Sequence, residues 1–105
     1  MNEEVPGYKL LLTYEVKSEI AQEYRQFLLG RYVPSMNNLG LQMSEAWHTA
    51  YGDAPNRLIG FVCRDRDTIY DLLDNQTWLE LNERLQEFVT DFSYKVVPYR
   101  GIFQI

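Results

Sequence analysis

Histidine and cysteine are almost absent from this chain: its 105 residues include one of each, His48 and Cys63. A single cysteine excludes an internal disulfide and points to a reducing, cytoplasmic setting. With one histidine, carboxylates would have to supply every other ligand of a transition-metal site, so no metal is expected. Basic residues are also short, 10 Lys and Arg against 15 Asp and Glu, for a net charge of −5. No cluster of Lys or Arg exists to displace counterions from a phosphate backbone, which argues against a nucleic-acid partner. No apolar run approaches the ~18 residues of a membrane span, and the opening Met-Asn-Glu-Glu lacks the basic and apolar regions of a signal peptide. A glycine-rich phosphate loop, a Gly-x-Ser-x-Gly elbow and a Cys-x-x-Cys pair are all missing, so neither a nucleotide enzyme nor a familiar hydrolase is supported. Repeats, low-complexity tracts and Pro/Gly/Ser linkers are missing too.

What is present is material for a core. Apolar residues make up 46% of the chain, with 8 Tyr, 5 Phe and 2 Trp. A chain of this length builds one domain. Residues 1–7 read as a tail and residues 8–105 as that domain. Tyr8 to Val16 alternates Tyr8, Leu10, Leu12, Tyr14 and Val16 against Lys9, Leu11, Thr13 and Glu15, the pattern of a strand with two usable faces. Ser18 offers an N-cap, followed by Ile20, Tyr24, Phe27 and Leu28 at helical spacing. Pro34, Asn37-Asn38 and Gly40 mark the end of that helix. Leu41 to Tyr51 is a second strand, with Met43, Glu45, Trp47 and Tyr51 on one face and His48 on the other. The turn-rich Gly52-Asp53-Ala54-Pro55-Asn56 joins it to a third strand, Arg57 to Arg64. Asp67 and Thr68 start a second helix, which breaks near Asp74-Asn75-Gln76-Thr77 and restarts, capped by Asn75 or Thr77, through Trp78, Leu81, Leu85, Phe88 and Val89. The last segment, Phe92 to Ile105, is β-rich but holds Pro98 and Gly101, which suits an edge strand.

The order β-α-β-β-α-β predicts an α+β, ferredoxin-like fold: a four-stranded antiparallel sheet with both helices on one face. The other face then lacks cover. Val97, Tyr99, Phe103 and Ile105 share one side of the last strand, and Phe92, Tyr94, Val96 and Ile102 the other. Two helices cannot cover both, so the chain is expected to pair with itself, sheet face to sheet face.

The layout, together with Tyr14, Gly40, Trp47-His48-Thr49-Ala50-Tyr51-Gly52, Asn56 and Trp78, resembles the dimeric α/β-barrel superfamily, and within it the NIPSNAP-like proteins. The resemblance implies a dimeric α/β barrel, with a pocket between sheet and helices. That superfamily also contains haem-degrading and cofactor-independent monooxygenases. Aligned on Trp78, the positions that carry Asn, Trp and His in the haem-degrading members hold Leu12, Cys63 and Asn82, so neither haem degradation nor any other cofactor is expected.

Candidate site residues follow. Tyr14, Trp47 and Tyr51 would line a pocket against Trp78, with Asn82 adding a polar group. Cys63, with no Lys or His beside it in sequence, reads as a buried thiol on the wall. His48 is the side chain whose ordinary pKa lies nearest neutrality, and Glu45, among apolar neighbours, is the other candidate acid or base, unless it pairs with Arg57, Arg64 or Arg100. Two functional readings result: a homodimer that binds a small apolar or aromatic molecule, or a cofactor-independent monooxygenase- or isomerase-like enzyme. A structural dimer with no pocket is the third.

Overall fold

The structure, a computed structural model, describes residues 2–48 and 56–104. Strand β1 (Asn2–Val16) leads through a 3-10 turn (Ser18–Ile20) into helix α1 (Ala21–Phe27). A π-helical stretch (Leu28–Tyr32) passes into α2 (Val33–Asn38). Strands β2 (Gln42–His48) and β3 (Arg57–Cys63) follow, then α3 (Arg66–Leu73), α4 (Gln76–Leu85) and β4 (Val89–Gln104). The four strands form one antiparallel sheet in the order β2-β3-β1-β4. This is the ferredoxin-like α+β architecture.

Alternation decides which face each strand residue takes. Leu10, Leu12 and Tyr14 of β1 stand opposite Phe61, Ile59 and Arg57 of β3. Five of these six, all but Arg57, are buried under the helices. Lys9, Leu11 and Thr13, with Val62, Gly60 and Leu58, take the other face, which no helix covers. The helical stripe Tyr24, Leu28, Tyr32 and Met36 and the α3–α4 residues Ile69, Leu72, Trp78, Leu81 and Leu85 complete the core.

Several local expectations are corrected. Residues 2–7, read as a tail, are strand: β1 begins at Asn2 and pairs there with the end of β4. Ser18 does not cap α1; its hydroxyl bonds Glu19, and Lys17 precedes the 3-10 turn. Pro34 does not end the first helix. It sits in the first turn of α2, directly after the π-helical stretch, where a missing N–H is tolerated. The cap of α3 is Asp65, whose carboxylate accepts from Thr68 N at 2.9 Å. Asn75 caps the restart, its Oδ1 accepting from Trp78 N at 3.2 Å.

Two bulges alter the alternation. In β2, Met43 opposes Phe61 but Glu45 opposes Gly60, leaving Ser44 as the extra residue. Met43 is thereby on the helix side, whereas Glu45 and Trp47 are on the open face. In β4, Asp91 and Phe92 together oppose Tyr14, and Asp91 takes a left-handed φ of 56°. That bulge brings Phe92 into a stacked contact with Tyr14, 6.4 Å between ring centroids.

Candidate functional site

The structure brings three of the sequence candidates, Tyr14, Trp78 and Asn82, together between the helices and the sheet, all buried. Tyr14 reaches inward from β1 and shares a 2.7 Å hydrogen bond with Tyr24 of α1. The π-helical turn sets Tyr32 over α4, where its hydroxyl donates to Asn82 Oδ1 at 2.7 Å. Trp78 makes an edge contact with Tyr94 of β4, 5.1 Å between centroids. Trp78 Nε1 is buried in this layer near the Tyr32 hydroxyl, without a well-formed hydrogen bond among the described residues, and the Arg57 guanidinium lies over the Tyr24 ring, 5.9 Å from its centroid. Burial pushes the Tyr14 and Tyr32 hydroxyls far above the usual phenol range, the neighbouring Tyr24 adding to the shift at Tyr14. Both therefore stay protonated at neutral pH. They can donate and accept hydrogen bonds but are unsuited to act as bases.

The other candidates lie elsewhere. Trp47 and Glu45 occupy the open face, on the opposite side of the sheet from Tyr14 and Trp78. The Glu45 carboxylate meets Lys9 Nζ at 2.8 Å and accepts from Trp47 Nε1 at 3.1 Å. The pairing expected with an arginine falls instead to Lys9; the side chain of Arg100 lies outside the described residues. The hydrogen bond from Lys9, then that from Trp47, holds the Glu45 carboxyl below its ordinary value, so the raised pKa expected of an acid–base catalyst is not found. To reach Lys9, Glu45 crosses Gly60, where a Cβ would stand 2.8 Å from its Oε1. His48 is exposed at the end of β2, opposite Arg57 in the register. Cys63 is buried on the helix side, its thiol 3.5 Å from the Asp65 carbonyl oxygen. Burial, with the nearby Asp65 charge, pushes its pKa up, away from a reactive thiolate. Tyr51 lies outside the described residues. Among the described residues, no group of three His, Cys, Asp or Glu side chains is placed to hold a metal.

A cleft of about 250 Å³ opens between α3 and the β1–β4 side of the sheet. Tyr8, Ile69, Leu73 and Val96 contribute to its walls, Tyr70 is half exposed beside it, and Arg66 brings its charge. The Arg66 guanidinium sits over the Tyr70 ring, 5.2 Å from its centroid. Sequence reasoning missed this site because it looked for the pocket around Tyr14, Trp47, Tyr51 and Trp78 and singled out nothing on the second helix before Trp78. The available signal was the helical spacing of Arg66, Ile69, Tyr70 and Leu73, which puts a cation and an aromatic ring on the same stripe as two aliphatic side chains.

No protein-family model matches the chain, and no curated protein matches it by sequence. Solved structures do. A NIPSNAP family protein of Agrobacterium tumefaciens superposes with a TM-score of 0.62 at 14% identity, covering 90% of this chain and 86% of that one. A Nitrosomonas europaea protein, provisionally named an antibiotic biosynthesis monooxygenase, gives 0.62 at 14% identity, with 94% and 92% covered. A hypothetical Arabidopsis thaliana protein gives 0.65 at 9% identity, with 90% and 88% covered. The resemblance to NIPSNAP-like proteins therefore holds at the level of the fold, and at these identities it carries the fold alone.

Proposed function

We propose that this chain is a cytoplasmic homodimer that binds a small apolar or aromatic molecule between α3 and the sheet. One observation carries the reading: the cleft is walled by aliphatic and aromatic side chains and includes few polar groups, the make-up of a small-molecule site. Its volume falls below the roughly 300–1,000 Å³ of drug-sized sites, which suits a single ring with a short substituent.

The alternative, a cofactor-independent monooxygenase- or isomerase-like enzyme, draws on the Nitrosomonas europaea likeness. Such chemistry needs a group that exchanges a proton near neutral pH. The cleft lining contains no His, Cys, Asp or Glu among the described residues, whereas Glu45 and His48 sit at other places on the sheet. Binding is the better-supported reading.

Methyl-resolved NMR with indole as probe tests it. Indole is expected to shift the methyl signals of Ile69, Leu73 and Val96, and Leu73→Phe, which fills the cleft, should weaken that response by about tenfold. Shifts confined to other parts of the protein, or a Leu73→Phe variant that binds as tightly as the parent, would overturn the assignment.

A further inference from the structure

The chemistry of the cleft narrows its ligand class. Arg66 is the sole charged residue in the lining among the described residues, and it is positive although the chain as a whole is negative, at −5. It is the first residue of α3, one turn before Tyr70, so its side chain lies along the cleft wall with the guanidinium over the Tyr70 ring. That contact holds a flexible cation in place without pairing it to a carboxylate, although the Asp67 charge acts on it from nearby. The two ion pairs among the described residues, Lys9–Glu45 and Arg84–Glu87, do not involve Arg66. The planar donors of a guanidinium match a carboxylate in two parallel hydrogen bonds. Ile69, Leu73 and Val96 meanwhile present only hydrocarbon.

We infer that the cleft takes an apolar monocarboxylic acid, its ring or chain against Ile69, Leu73 and Val96 and its carboxylate on Arg66. The inference rests on the cleft being the binding site, and it adds the charge of the ligand and the residue that selects it. Arg66 is solvent-exposed, so its pairing with the acid is worth less than a buried pair and is screened by salt. A preference for acid over neutral isostere of about fivefold is therefore expected, decreasing as ionic strength rises.

Phenylacetate and phenylacetamide, similar in shape and different in charge, are the probes. Each is titrated into the parent protein and into Arg66→Gln, with the Ile69, Leu73 and Val96 methyl signals reporting occupancy. The expected result is that phenylacetate binds the parent about fivefold more tightly than the amide, and that Arg66→Gln brings the ratio close to one. If both probes shift the cleft methyls equally in the parent, the acid preference is overturned while the cleft stands as a binding site. If neither shifts them, the inference and the reading beneath it are both overturned.

Discussion

Trp78 stands where α4 begins, with Asn75 accepting from its backbone N–H and its side chain buried to 1% exposure against Tyr94. Deleting a side chain of this size from a packed layer leaves a cavity, so Trp78→Ala should cost about 3–5 kcal/mol. Trp78→Phe should cost much less. It keeps an aromatic ring in the layer and removes a buried indole N–H that lies near Tyr32 without a well-formed hydrogen bond, so little polar pairing is lost with it. Urea unfolding of both variants measures the difference, and a loss below about 1 kcal/mol for the alanine variant would contradict the burial. Residues of this kind were legible beforehand: Tyr14, Trp78 and Asn82 lie on apolar stripes whose period places them inside. Trp47 and Glu45 were not, because the Ser44 bulge reverses the facing of the second half of β2. A bulge is set by backbone pairing with β3, and nothing in Met43-Ser44-Glu45 announces it.

Along the elements, the end of α2 shows a local signal and a tertiary one agreeing. Gly40 has φ +93°, Leu41 N bonds Met36 O at 2.9 Å, and Gly40 N bonds Asn37 O at 3.1 Å. This is the paired arrangement in which a left-handed residue closes a helix while the apolar residues flanking the turn, Met36 and Leu41, pack in the core. A side chain at Gly40 meets two obstacles: the left-handed backbone, and Thr68 Cγ2 at 3.1 Å from the new Cβ. Gly40→Ala should therefore lose about 1–2 kcal/mol, read from the shift in denaturant midpoint at unchanged slope. The sequence located this stop, as it located the restart at Asn75, because both use residues with special local chemistry. It missed the early start of β1 at Asn2, where Pro6 and Gly7 argue locally against a strand and the pairing with β4 prevails. The π-helical turn escaped notice for a related reason: Tyr24, Leu28, Tyr32 and Met36 remain four residues apart whether the turn is α or π.

At the level of the whole molecule, the sheet has one face covered by helices and one open face that carries apolar side chains. Leu11, Leu58, Val62 and Val97 lie on it half-buried, and Trp47 stands 60% exposed. Its polar side chains include two sets that already satisfy one another: Lys9 with Glu45, and Thr13 Oγ1 with Ser93 Oγ at 2.8 Å. Lys9 also lies over the Tyr99 ring, 4.6 Å from its centroid. Covering such a face removes apolar surface from water without orphaning those groups, which is the main penalty of burying polar side chains. A second copy presenting the same face meets that requirement, and a two-fold contact needs a surface complementary to itself. We therefore expect light scattering at micromolar concentration to give twice the chain mass, with an interface above about 1,000 Å² of total buried area. Leu58→Asp would place a charged carboxylate on that face, opposite Thr13 and Trp47, and burying it in an interface would cost its hydration. The variant should dissociate to the single-chain mass while keeping the far-ultraviolet circular dichroism of the parent, since Leu58 faces away from the helical core. A parent protein that scatters as a single chain would refute the assembly, and a Leu58→Asp variant that stays dimeric would move the contact to another surface.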